Sequence, residues 1–295
     1  MYYYKAYGLI FESNIEIPQL IEVKKNDKAD AQILLGEVPE YVKEHAKYMP
    51  AEDCGEAIWF QNSKGYFYAT ATQIIAEPKG EQKLLDIILF IQGYCFALLF
   101  RKRGLHAVHC SALHCEKGAV IIAGYSGSGK STVSDRLLQE GYRLMADDVA
   151  VLRVEDGKVM VYPAFPTRKM CRDALNRENY DVEILECIDE ERDKFEIRCD
   201  EYFVDQPAEL YRMIVLKKKK DGSVEVKQLT AGDALEEFID SLFLSGTFSD
   251  LKFPPDQMLS ALQVVLHMKS FYMIERPVGV DTLEEIYNEV KKLLK

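Results

Sequence analysis

The chain has little that would suit a secreted, nucleic-acid-binding or membrane protein. Its seven cysteines, from Cys54 to Cys199, are odd in number and include no Cys-x-x-Cys pair. That excludes a disulfide scaffold and favours a reduced, cytoplasmic compartment. Positive charge is scarce: 37 Lys and Arg against 48 Asp and Glu leave a formal net charge of −11. With no basic stripe to offset it, a nucleic-acid partner is not expected. The one basic run, Lys217 to Lys220, directly precedes Asp221-Gly222 and reads as a solvated strand end and hairpin turn. The opening MYYYKAYGLIFES lacks the apolar stretch of a signal peptide. The one long apolar run, Leu84 to Phe100, holds Asp86, Gln92 and Gly93 and is shorter than the roughly 20 residues that span a bilayer. It reads as a buried helix, so no membrane partner is expected. No repeat or low-complexity segment is evident.

What is present is ordinary globular material: 295 residues, 48% apolar and 29% charged, enough for one large or two ordinary domains. Residues 1 to about 80 read as a small β-rich unit, with strands over Tyr2 to Phe11 and Ala31 to Leu35 and a hairpin from Ala57 to Phe60 and Gly65 to Thr72. A helical period follows from Gln82 to Arg103, closed by Lys102, Arg103 and Gly104. The expected organisation is therefore α/β: a β-rich N-terminal domain with its linking helix over 1–103, and a second domain over 104–295.

The second domain is organised around AVIIAGYSGSGKST, Ala119 to Thr132. A buried strand runs into a glycine-rich turn, and Gly124, four residues, then Gly129-Lys130-Ser131 is the phosphate-binding P-loop pattern. Gly124, Gly127 and Gly129 allow positive φ and bring backbone N–H groups, those of Ser126 and Ser128 included, close to phosphate oxygens. The helix expected from Lys130 aims its positive end at the same place. Lys130 adds a point charge for the β- and γ-phosphates; Ser131, followed by Thr132, supplies a hydroxyl for Mg²⁺. Nucleotide binding follows.

Flanking segments add candidates. His109 to Cys115 reads as a strand. Its His109, Cys110, His114 and Cys115 invite a zinc reading, but strand alternation puts His109 and Cys115 on one face and Cys110 and His114 on the other, so they do not converge on one ion. After the loop, Val133 to Glu140 continues the helix and Gly141 stops it. Two strands are expected next, Tyr142 to Ala146 and Val149 to Val154, separated by Asp147-Asp148; Asp156-Gly157 then turns a hairpin into Lys158 to Tyr162. Two carboxylates at a strand end beside a P-loop are where a phosphoryl-transfer enzyme keeps a metal ligand and a base. Residues 163–206 are proline-punctuated and then charged, with Glu183 to Arg198 reading as a surface loop or lid. Arg168 and Lys169 are candidate phosphate or substrate contacts, a plain surface role being equally open. Leu210 to Leu216 and Ser223 to Gln228 read as a hairpin. Thr230 reads as the N-cap of a helix over Ala231 to Leu244, followed by a helix over Gln257 to His267, a strand over Ser270 to Glu275, and a last helix over Thr282 to Leu294 capped by Asp281.

A P-loop alone leaves function open. No guanine-reading Asn-Lys-x-Asp and no transporter Leu-Ser-Gly-Gly-Gln follows it, and the paired acids lie on the very next strand. His109, then GYSGSGKST, then EGYRLMADDVAVL resembles the HPr kinase/phosphorylase family of bacterial protein-serine kinases, strongly from about His109 to Val151. The N-terminal YKAYGLIFESNIEIPQL is more similar to the branch encoded beside lasso peptides and other modified peptides. The resemblance implies a P-loop kinase domain of the HPr kinase/phosphoenolpyruvate carboxykinase type. It implies Asp147 as general base, Asp148 as a Mg²⁺ ligand with Ser131, and His109 beside Asp147 and the γ-phosphate. It also implies ATP and Mg²⁺ as cofactors and an accessible serine on a peptide or small protein as partner. Two departures, Thr132 after Ser131 and the lack of that family's glycine-rich signature downstream, weaken HPr itself as substrate and weaken the reverse reaction. Kinase action on a small-molecule hydroxyl, such as free serine or a sugar, and a non-catalytic nucleotide sensor are the alternatives.

Overall fold

The structure is a computed structural model, and it describes all residues except 26–27, 46–51, 54, 126, 178–179, 186, 190–192, 246–250 and 252. It is a mixed α/β protein with two large mixed sheets, divided between two compact units. Unit 1 holds Met1–Ala107, Phe165–Asp200 and Phe243–Pro254; unit 2 holds Val108–Ala164, Glu201–Leu242 and Pro255–Lys295. The chain first passes between them at Ala107/Val108, a few residues beyond the expected division, and then four times more.

Unit 1 opens with β1 (Tyr2–Ala6), β2 (Leu9–Ser13), β3 (Ile21–Glu22), β4 (Ala31–Leu35), helix α1 (Glu40–His45), β5 (Glu52–Asp53), β6 (Ala57–Gln61), β7 (Gly65–Thr70) and β8 (Gln73–Pro78). These strands form one sheet in the order β3-β1-β2-β4-β8-β7-β6-β5. The single strand expected over Tyr2 to Phe11 is a hairpin: Tyr7 and Gly8 take φ of 54° and 72°, and two consecutive positive φ values turn the chain tightly between twisted strands. Strict burial alternation in β7, with Gly65, Phe67 and Ala69 inward, leaves a single apolar face. Against it lies the helical run α2 (Leu84–Phe90), a π-helical segment Ile91–Cys95, and α3 (Phe96–Lys102). By length and composition Leu84–Lys102 could cross a bilayer, yet 67% of its apolar window is buried inside the protein. Tyr7, Phe11, Phe96 and Phe100 pack ring to ring in the core.

The chain then builds unit 2 with β9 (His106–Cys115), β10 (Gly118–Gly124), α4 (Lys130–Gln139), β11 (Arg143–Glu155) and β12 (Lys158–Tyr162). It returns to unit 1 for β13 (Thr167–Cys171), α5 (Arg172–Arg177), β14 (Cys187–Asp189) and β15 (Lys194–Arg198). The lid or loop expected over 183–198 is thus corrected at Cys187–Asp189 and Lys194–Arg198, which belong to a small sheet ordered β13-β15-β14, while Val182–Ile184 is a 3-10 turn. Phe195 and Ile197 alternate with charged neighbours and bury against Met170 and Leu175. Two apolar residues at period two sufficed where charge density suggested a loop.

Unit 2 is completed by β16 (Ala208–Lys219), β17 (Glu225–Gln228), α6 (Ala231–Asp240), α7 (Pro255–His267), β18 (Phe271–Pro277) and α8 (Leu283–Leu294). Its sheet runs β10-β9-β11-β12-β16-β18-β17, with β10 and β16 also paired in parallel. The hairpin expected between Leu210–Leu216 and Ser223–Gln228 does not form. Met213 to Leu216 have β10 on one edge and β18 on the other, so β17 pairs antiparallel with the outer edge of β18 instead. The two strands expected around Asp147-Asp148 are one continuous strand, β11. Thr230 occupies the N-cap position of α6, but its hydroxyl donates to the Asp233 carboxylate rather than accepting a backbone N–H. The N-cap position of α8 falls to Thr282, one residue later than expected, while Asp281 accepts from the N–H of the first helical residue, Leu283. α4 ends as expected at Gly141, where Gly141 N–H and Tyr142 N–H bond to the Leu138 and Leu137 carbonyls, the paired closure that glycine at positive φ permits.

Candidate active site

The Gly124–Thr132 segment forms the connection between β10 and α4. Ala119 to Ala123 are wholly buried, as befits a strand flanked by neighbours on both edges. Beyond them the backbone turns through three glycines: Gly124, Gly127 and Gly129 have φ of 138°, 72° and 111°. Gly124 is required for a second reason. A Cβ there would stand 2.4 Å from the Leu216 carbonyl oxygen and 2.8 Å from Ser128 Oγ, because β10 and β16 are paired at that level. Gly129 forms the N-cap of α4, so the first free N–H groups of the helix open toward the loop. Ser128 is 2% exposed, and its Oγ is buried with no hydrogen-bond partner among the described residues. Ser126, expected among the phosphate-binding residues, lies outside the described residues. Ser131 and Thr132 follow Lys130 in the first turn of α4.

Lys130 lies back across the loop. Its Nζ donates to the Gly124 carbonyl and, at 3.4 Å, to that of Tyr125, and it lies 3.2 Å from His109 Nε2. Two backbone oxygens therefore stand where phosphate oxygens would be expected to stand against this ammonium. His109 Nδ1 is 3.1 Å from the Asp148 carbonyl and 3.2 Å from its Oδ1. Nδ1 thus faces acceptors and Nε2 faces the Lys130 ammonium, an arrangement that a proton on Nδ1 satisfies.

Asp147 accepts a hydrogen bond of 3.2 Å from Ser111 Oγ, a buried residue that the sequence reading did not single out. His109 and Ser111 are two apart on β9 and so share one face. They contact Asp148 and Asp147 respectively, although adjacent residues of a regular strand point to opposite faces. The reason is local: Asp148 has φ of 84°, outside the β region, and that irregularity lets both acids address the same face of β9. Non-glycine residues at positive φ concentrate at functional sites. His109 was expected beside Asp147; the contacts above bring its ring to Asp148, one residue on.

Cys110 is fully buried, and burial pushes its thiol far above the ordinary range. Among the described residues no group of three or more His, Cys, Asp and Glu could hold a metal ion. Arg168 and Lys169 lie on β13 in unit 1, Arg168 only 5% exposed. Other cations do reach the loop. Arg276 Nη2 donates to the Gly127 carbonyl at 2.9 Å, and Lys218 Nζ lies 3.0 Å from where a Cβ on Gly127 would stand. The signal that could have found Lys218 was available: it lies at the C-terminal end of a strand parallel to the P-loop strand, the end at which open α/β sheets meet their ligands.

No family model and no curated protein matches the chain. Among solved structures, the Hpr(Ser) kinase/phosphatase from Coxiella burnetii is similar at 15% identity and a TM-score of 0.31, over 63% of this chain and 94% of that one.

Proposed function

We propose that this chain is a Mg²⁺- and ATP-dependent kinase of the HPr kinase type that phosphorylates a serine hydroxyl on a peptide or small protein. The observation that carries the reading is the juxtaposition of Lys130, His109 and the Asp147-Asp148 pair on one face of β9, next to a loop with three glycines at positive φ. Phosphoryl transfer needs positioning and charge neutralisation more than covalent chemistry. In this reading the amides of 124–132 and the ammonium of Lys130 hold the triphosphate, Lys130 leaving the Gly124 and Tyr125 carbonyls to do so. Asp147, oriented by Ser111, takes the proton from the acceptor hydroxyl. His109 stands between Lys130 and Asp148 and keeps both in place. Ser131 and Asp148 are the hard oxygen donors that would hold Mg²⁺, which supplies charge neutralisation on the transferred phosphate when bound. The setting that supplies ATP to such an enzyme is the cytoplasm, and the lasso-peptide branch remains the favoured source of its substrate.

The test is phosphate transfer from labelled ATP to a panel of serine peptides, free serine and sugars. Asp147→Asn is expected to abolish transfer, a fall of at least about 10²-fold on the scale of general-base removal, with ATP affinity within about twofold of wild type. Equal loss of binding and transfer would remove Asp147 from the role of base. Transfer to free serine or a sugar but to no peptide would replace the acceptor class.

A further inference from the structure

A second cationic element lies on β16, the parallel neighbour of the strand that leads into the phosphate loop. β16 runs parallel to β10 with Gly124 level with Leu216, so Lys217 and Lys218 follow at the end where the loop leaves the sheet. Lys217 pairs with Glu237 and Lys219 with Glu225. Among the described residues no carboxylate pairs with Lys218, which is exposed. Its register partner on β18 is Arg276. In-register residues of neighbouring strands point to the same face, so two positive side chains stand directly opposite each other, an arrangement that is unfavourable unless an anion lies between them. Both meet the loop at one residue, Gly127: Arg276 through the carbonyl, Lys218 beside the α-carbon. Arg276 Nε is buried with no hydrogen-bond partner among the described residues, so the guanidinium has donor capacity left over.

We propose that Lys218 and Arg276 form a second phosphate-binding pair of the nucleotide site. In this arrangement Arg276 braces the loop at Gly127, and the Lys218 ammonium contacts a phosphate of the bound nucleotide from the β16 side. Lys130 is then one of two lysines that neutralise the donor. The inference rests on the reading of the loop as a nucleotide site. The ligand chemistry it specifies is a polyphosphate, supplied by a nucleotide or by free pyrophosphate.

Calorimetric titration of the full chain with ATP, ADP, adenosine and pyrophosphate, in low and physiological salt, tests it. Lys218→Ala is expected to weaken ATP and pyrophosphate by about three- to tenfold, the range for an exposed charge-assisted contact. The loss should shrink in higher salt, adenosine binding should be unchanged, and Lys218→Arg should restore affinity. Lys220→Ala removes the same charge from the same run and should leave every affinity as it was. Wild-type ATP affinity in Lys218→Ala, or an equal loss in Lys220→Ala, overturns the pair while leaving the kinase reading intact. Pyrophosphate bound through Lys218 without ATP binding upholds the anion pair and overturns the kinase reading. If the wild-type chain binds no phosphate compound, both fall.

Discussion

Asp148 offers a test of whether backbone strain is held at the site. At φ of 84° a side chain costs about 1–2 kcal/mol relative to ordinary conformations, a cost that glycine does not carry. In a regular strand the order is reversed, glycine being about 0.5–1 kcal/mol less stable than alanine. Asp148→Ala and Asp148→Gly both remove the carboxylate and its contact with His109, so comparing them cancels that loss and leaves the backbone. If the strain is real, the glycine variant should be the more stable by about 1 kcal/mol, or roughly 2–4 °C in Tm for a domain of this size. Against wild type the glycine variant should be level or slightly higher, since the half-exposed His109–Asp148 contact is worth only about 0.5 kcal/mol. Both variants should lose transfer activity, so stability and function would move in opposite directions. Thermal unfolding followed by circular dichroism reads the difference. A glycine variant that melts at or below the alanine variant refutes the reasoning, because the positive φ would then carry no cost.

Two further outcomes follow from the same kind of geometry. Gly124→Ala places a Cβ 2.4 Å from the Leu216 carbonyl, which cannot retreat without breaking the β10–β16 pairing, so a loss of at least about 3 kcal/mol and of ATP binding is expected. Gly232→Ala, where a Cβ meets nothing within 4 Å inside α6, should instead stabilise by about 0.5–1 kcal/mol; calorimetry on both variants checks the contrast. In unit 1, burial pushes His106 down to about 4 from its ordinary 6.5. Because the folded form resists protonation, its contribution is complete above pH 6.5 and is lost as pH falls toward 4, by at most about 3 kcal/mol. His106→Phe keeps a ring beside Phe253, which now lies 6.5 Å away, and should flatten that loss. Urea unfolding followed by Trp59 fluorescence measures it, and parallel pH profiles for variant and wild type would contradict the assignment.

Elements set by local signals are legible in the sequence, and those set by long-range pairing are not. β4 lies where its apolar pattern placed it, α4 ends where Gly141 required, and the β10–loop–α4 connection has the glycine geometry its spacing demanded. The failures have physical causes. Strand partners are chosen by available edges, so a turn signal at Asp221-Gly222 could not reveal that β18, about 50 residues later in the chain, would take the edge of β16. The spacing puts Asp147-Asp148 at the end of one strand with a second strand after it; in fact one residue takes a positive φ and the strand runs on to pair with β12. Ser111 escaped notice because serine in a strand carries no chemical signature of its own, although its position two residues from His109 is the same-face spacing that would have found it. The charged stretch around β14 and β15 hid its two core residues behind its composition.

The place of β18 between β16 and β17 also governs the order of assembly. When the ribosome has released the P-loop, the paired acids and the whole of β16, the edge of β16 from Met213 to Lys219 still lacks its neighbour, and β17 has nothing to pair with. Both wait for Phe271–Pro277, and unit 1 is itself complete only after Phe243–Pro254 has been made. Contacts of such sequence separation are slow to form and leave strand edges open in the meantime. Nascent chains stalled before residue 271 should therefore engage chaperones that bind exposed strands, and nucleotide affinity should arise only once Phe271–Pro277 has been made.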